Sequence, residues 1–108
     1  MKIAVIGSKG LTIPDLGKYL PPQTTEIVSG GTAEIVLSAR EYAAAHGIKL
    51  TEFHSEYEKY GRDAPLKLDF AIIEYADMVI AFWDGNSCGT KFVIEKCKET
   101  GVPIRVFV

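Results

Sequence analysis

Two cysteines are too few to make a disulfide framework. Cys88 and Cys97 stand nine positions apart, and an intracellular chain keeps such thiols reduced, so both are expected free. A basic excess is also missing: 12 Lys and Arg against 14 Asp and Glu give a formal charge of −2, with the cations scattered among acids. That balance argues against an extended nucleic-acid surface, and no nucleic-acid polymer is expected as a partner. No apolar run approaches the length that crosses a bilayer, so no membrane partner is expected either. Met1 leads directly into the apolar run Ile3 to Ile6, without the basic segment, longer apolar stretch or cleavage site of a signal peptide. A cytoplasmic location is the expectation. No repeat, low-complexity tract or linker interrupts the chain.

The residues that are present suit one compact unit. A chain of 108 residues, 47% apolar and 24% charged, can bury a core without metal or disulfide support, and residues 1–108 are read as a single domain. Five short apolar, β-branched runs alternate with segments of helical period, the pattern of repeated βα units and a parallel sheet. The expected strands are Lys2 to Ile6, Thr25 to Ser29, Lys49 to Phe53, Asp77 to Trp83 and Pro103 to Phe107. Between them Pro14 suits a first helical turn after Thr12, Thr32 caps a second helix and Asp63 a third. Gly47 and Gly101 fall where helices stop. Val93, Ile94 and Cys97 share one face of the last helix, with Glu95, Lys96 and Lys98 toward solvent. The fold class is therefore α/β: a Rossmann-like three-layer arrangement with a five-stranded parallel sheet in the order 3-2-1-4-5.

In such a sheet ligands lie beyond the carboxyl ends of the strands, where strand order reverses. Three glycine-containing loops fall there: Gly7-Ser8-Lys9-Gly10, Ser29-Gly30-Gly31-Thr32, and Asp84-Gly85-Asn86-Ser87-Cys88-Gly89-Thr90. Their small residues let backbone amides approach an anion, and the second and third open into helix N-termini. Gly7, Ser8, Lys9, Gly30, Gly31, Thr32, Ser87, Gly89 and Thr90 are the candidate ligand-binding or oxyanion-holding positions.

The run Met1-Lys2-Ile3-Ala4-Val5-Ile6-Gly7-Ser8, the Ser29-Gly30-Gly31 turn, Tyr75-Ala76-Asp77, and Phe82-Trp83-Asp84-Gly85 with Ser87 and Gly89-Thr90 resemble the small domains of the SLOG superfamily. The resemblance covers nearly the whole chain. It implies a Rossmann-like domain that binds nucleotides or their derivatives, in some branches cleaving a nucleoside N-glycosidic bond. This sequence departs from the family where the ligand would be held. After Gly30-Gly31 the family's lysine and aspartate are replaced within Thr32-Ala33-Glu34-Ile35-Val36. Lys67-Leu68-Asp69 stands for a Lys-Arg-Asn, with Phe70 following. His54-Ser55 replaces an apolar residue and proline, and Cys88 takes a variable, often basic place. These changes remove charge from one crevice and add Val36, Leu68, Phe70, a thiol and an imidazole. They read as a pocket rebuilt for a less anionic ligand, as in an engineered variant of a SLOG scaffold.

The chemistry this suggests is a thiol hydrolase acting on an activated ester. Cys88 precedes a helix, where the N-terminal dipole and Lys91 favour a thiolate nucleophile. His54 is the candidate base, and Glu34 or Asp69 the acid that orients it. Gly89 and Thr90 amides would hold the oxyanion, with Val36, Leu68, Phe70 and Trp83 as pocket walls. In the expected strand order His54 and Cys88 hang from strands about 14 Å apart, so their loops must curve toward each other. Cys97 is read as core packing and His46 as a helix C-terminal residue. The Cys88–Cys97 spacing does not suit zinc, so no metal and no cofactor are expected. The expected partner is a small-molecule ligand or ester substrate. Two other readings are open: a nucleotide-derivative-binding domain without catalysis, and a homodimer formed through an apolar patch of Val36, Leu37, Leu68 and Phe70.

Overall fold

A computed structural model describes residues 1–8, 10–11, 13, 15–30, 33–54, 57–86 and 88–107, without the side chains of residues 33, 57, 65 and 88. Five strands, β1 (Lys2–Gly7), β2 (Glu26–Ser29), β3 (Lys49–Glu52), β4 (Met78–Phe82) and β5 (Ile104–Phe107), form one sheet in the order β3-β2-β1-β4-β5. Every pairing is parallel: Ile3 lies opposite Ile27 on one side and Met78 on the other, and Gly7 opposite Phe82. The expected order and class are thus observed. The three central strands are buried almost throughout, and their near-continuous Ile, Val and Ala suits strands covered on both faces.

Side chains alternate between two cores. Ile3, Val5, Ile27 and Ile80 face Ile35, Ala39 and Ala43 of α1 (Ala33–His46), together with Leu16. Ala4, Ile6, Val28 and Val79 face Leu68, Ile72 and Ile73 of α3 (Ala64–Tyr75), and Val93 and Cys97 of α4 (Cys88–Thr100). The period of two along each strand sends successive residues to opposite layers. α1 and α4 stop at Gly47 and Gly101, with φ of +63° and +79°, as expected of residues that end a helix in the left-handed region.

Three local expectations need correction. In the segment after Thr12 and Pro14, both outside the described residues, the described residues form a short 3-10 turn, Leu16–Tyr19, and no α-helix. Leu20 precedes Pro21, is extended (φ −88°, ψ 135°) and cannot prolong a helix into the two prolines. Asp63 occupies the N-cap position of α3 but makes no side-chain cap bond. A 3-10 turn, Gly61–Asp63, runs straight into α3, so the backbone at Asp63 is already helical (φ −85°, ψ −3°) and lacks the extended form that aims a capping side chain. Before it lies a single helical turn, α2 (Tyr57–Tyr60), too short to show a hydrophobic period. The cap assigned to Thr32 lies outside the described residues. The proposed patch of Val36, Leu37, Leu68 and Phe70 also does not exist as one surface, because α1 and α3 cover opposite faces of the sheet.

At the amino edge of the sheet, Glu26 is buried yet charged. Tyr75 Oη donates to its Oε2 at 2.6 Å, Thr51 Oγ1 donates to the same oxygen at 2.8 Å, and Lys49 Nζ stands 3.3 Å from Oε1. The tyrosine hydrogen bond, joined by Thr51 and Lys49, holds this carboxyl below the ordinary value of 4.5 despite its burial. Among the described residues no helix is long and apolar enough to cross a membrane.

Candidate functional site

Order reverses between β1 and β4, and there described residues are joined by their own hydrogen bonds. Ser8, 1% exposed, donates its amide to the carbonyl of Phe82 at 2.9 Å. Its Oγ accepts the Asp84 amide at 3.2 Å and lies 3.5 Å from Oγ1 of buried Thr90. The Asp84 carboxylate in turn accepts the Asn86 amide at 2.8 Å, tightening the loop after β4. The hydroxyl read as a ligand donor therefore ties the β1 end to the β4 loop and the start of α4.

Two of the glycines have packing reasons. A Cβ on Gly7 would stand 2.5 Å from Ile35 Cδ1, and one on Gly30 would stand 2.8 Å from the Phe53 carbonyl oxygen and 3.0 Å from Ile72 Cδ1. Close approach of α1 to β1, and of α3 and the β3 end to β2, requires both. Gly89 differs, since a Cβ there meets nothing within 4 Å. Lys9, Gly31, Thr32 and Ser87 lie outside the described residues.

Among the described residues, an open space lies farther along the carboxyl edge, between the end of β3 and the α2–α3 segment. A cavity of about 430 Å³ is lined by Phe53, His54, Tyr60, Ala64, Lys67, Leu68, Phe70, Ala71 and Glu74. Ala64, Lys67, Leu68, Ala71 and Glu74 recur at spacings of three and four, so one stripe of α3 forms its long wall. Alanine at positions 64 and 71 leaves the room that larger residues would fill. Aromatic rings frame it: Phe53 meets Tyr75 edge-on at 5.6 Å, and Phe70 meets Phe92 of α4 at 5.6 Å. Lys67 Nζ sits 5.7 Å from the Tyr60 ring centre and Lys59 Nζ 5.1 Å, so that ring lies in a cationic field.

No family model, curated protein or solved structure matches the chain. Function must therefore be argued from where the side chains fall. His54, Leu68 and Phe70 meet at the cavity, as a pocket reading expects. Val36 does not join them, because α1 lies on the other side of the sheet. Trp83 follows β4 beside β5, donating its amide to the Phe107 carbonyl at 2.8 Å, and lines no part of the cavity.

Cys88 opens α4, beyond β4, and its side chain lies outside the description. β3, which carries His54, is separated from β4 by β2 and β1, about 14 Å across the sheet. Among the described residues, His54 and Glu34 form no hydrogen bond or ion pair with each other; Glu34 instead accepts Ser38 Oγ at its backbone carbonyl, 3.0 Å away. Sequence reasoning missed Phe53, Tyr60, Ala64, Lys67, Ala71 and Glu74. The legible signal was the pair of alanines two turns apart on α3, beside the aromatic end of β3.

Two further groups have burial-shifted acidity. Desolvation pushes Asp69, partly buried on α3, from 3.8 up to about 7. Among the described residues it has no hydrogen-bond or ion-pair partner, so nothing offsets the loss of water. Burial likewise raises the thiol of Cys97, which is fully enclosed in the second core. A raised thiol is a poor nucleophile, in keeping with a packing role.

Proposed function

We propose that this domain binds a small organic molecule with a planar apolar body, seated in the cavity between β3 and α2–α3, and that binding is its function. The observation that carries this reading is the cavity itself. Its 430 Å³ falls within the usual range for small-molecule sites, and its walls pair aromatic and aliphatic surface with a few polar groups. Support also comes from the switch point, where Ser8 is committed to internal bonds with Asp84 and Thr90. A nucleotide cradled there, as the SLOG resemblance implies, would have to compete with those bonds.

The test is calorimetry against aryl acids, aryl amines and adenine nucleotides, with the wild-type chain and Ala71→Trp. Ala71 is half-buried on the cavity wall, so a tryptophan there takes up space the ligand would occupy. Planar aryl ligands should bind the wild type and lose about tenfold or more with Ala71→Trp, whereas nucleotides should bind no better than about a millimolar. Micromolar nucleotide binding that survives Ala71→Trp would move the site to the Gly7–Ser8 and α4 crevice.

A second reading, cysteine-dependent hydrolysis of an activated aryl ester, draws support from His54 at the same cavity beside Leu68 and Phe70. It requires the β4–α4 loop to bring Cys88 across about three strand spacings. A product burst that disappears in Cys88→Ala and slows about 10²-fold in His54→Ala would establish it. No burst above buffer would end it.

A further inference from the structure

The cavity carries one charged residue at each end of its helical wall. Lys67 and Glu74 both line it and both are solvent-accessible. They lie seven residues apart, about 10 Å along the helix, on the same stripe. That separation is too long for a direct pair. The intermediate positions within reach of both, Phe70 and Ala71, carry no charge. Among the described residues neither Lys67 nor Glu74 enters an ion pair or a hydrogen bond. The ammonium of Lys67 is turned over the Tyr60 ring, 5.7 Å from its centre. Between the two charges the wall is Leu68 and Ala71, faced by Phe53. The groove thus presents a cation, an apolar floor and an anion in sequence.

Resting on the small-molecule reading above, we infer that the ligand is dipolar: an amphipathic molecule with an anionic group at the Lys67 end, a planar or aliphatic body over Leu68 and Ala71, and a cationic amine at the Glu74 end. A purely anionic ligand would leave Glu74 near its far end as a repelling charge. A purely cationic one would meet Lys67. A dipolar ligand satisfies both, and it reduces to the class of amino acids and aminoaryl acids whose two charges are separated by a rigid spacer rather than carried on one carbon. The nearly balanced charge of the whole chain, 12 cationic against 14 acidic residues, offers no long-range field to favour either single-charge competitor.

The probe is 4-(aminomethyl)benzoate, compared with 4-methylbenzoate and 4-methylbenzylamine, which keep its shape and delete one charge each. Dissociation constants come from NMR titration of the full chain at low salt, following the methyl groups of Ala64, Leu68 and Ala71. Each solvent-accessible ion pair is worth up to about 1 kcal/mol, or about fivefold. The dipolar probe should therefore bind about three- to fivefold more tightly than either analogue, with the advantage shrinking as salt is added. Lys67→Gln should erase its advantage over 4-methylbenzylamine, and Glu74→Gln its advantage over 4-methylbenzoate. Both substitutions are at accessible helix positions and should leave the fold intact. If the three probes shift the same methyls with equal affinity, or 4-methylbenzoate binds as tightly as the dipolar probe, the dipolar inference fails while the cavity reading stands. If none of the three shifts those methyls, both fall.

Discussion

Replacing Asp69 by Asn should change how the stability of this domain depends on pH, in a direction set by the burial of the carboxyl. Desolvation places the folded-state value near 7, against 3.8 for the ordinary side chain. Between those values the folded chain keeps a proton that the unfolded chain has released. Stability from this group is whole below pH 3.8, declines as pH rises toward 7, and above that stays at its reduced level. At 1.36 kcal/mol per pH unit, the interval from 3.8 to about 7 sets a ceiling of roughly 4 kcal/mol. Asp69 is only partly buried, and water reaching the carboxylate reduces that ceiling to about 2 kcal/mol. For a chain of this size that is a shift of roughly 8–16 °C in the melting midpoint. The assay is urea denaturation of the wild type and Asp69→Asn at pH 5 and pH 8.5. The wild type should lose about 1 kcal/mol between the two that the variant does not lose, the remainder of the difference falling between pH 3.8 and pH 5. The comparison of slopes is independent of whatever the buried amide itself costs. Parallel profiles for the two proteins, or a wild type that gains stability from pH 5 to pH 8.5 relative to the variant, would refute the reasoning.

The opposite sign should hold for Glu26, whose value is lowered: its contribution is present above pH 4.5 and lost as pH falls through the folded value. Tyr75→Phe removes the 2.6 Å hydrogen bond and should cost about 1–2 kcal/mol at pH 7 by denaturant titration, and less in acid. Gly30→Ala should destabilise by about 1–3 kcal/mol because the new methyl meets a backbone oxygen at 2.8 Å. Gly89→Ala, with open space around it inside α4, should be neutral or raise stability by up to about 1 kcal/mol in the same melts. Cys97→Asp puts a charge at a position with no exposure and should cost about 3 kcal/mol or more, while Cys97→Ala leaves a folded protein by circular dichroism.

The layers of this fold were legible because their causes are local. Ile3-Ala4-Val5-Ile6 and Met78-Val79-Ile80-Ala81 are short β-branched apolar runs bounded by turn residues, the form of strands covered on both faces, and Gly47 and Gly101 stand where helices end in the left-handed region. Lengths near proline were less legible. Leu20 is forced extended by its neighbour Pro21, which cut an expected helix to one 3-10 turn. At the site, sequence identified His54, Leu68 and Phe70 but grouped them with Val36, since nothing in a linear chain says on which side of the sheet a crossover helix lands. Glycine has a second reason that sequence does not show. Gly7 and Gly30 read as anion cradles, and in the structure their missing Cβ atoms also make room for Ile35 and for the Phe53 carbonyl. Lys67 and Glu74 were invisible as a pair because their meaning depends on the empty volume between them, which exists only once Phe53 and α3 are assembled.

The central claim is that the β3–α2–α3 cavity is the binding site, and methyl-resolved NMR with a planar aryl ligand tests it most directly. The largest shifts should fall on Ala64, Leu68 and Ala71, with smaller changes at Ala4 and Val28 in the core beneath, and none at Ala39 and Ala43 across the sheet. Shifts centred instead on Thr90 and Val93, with Ala64 and Ala71 unmoved, would place the ligand at the switch point and contradict the account.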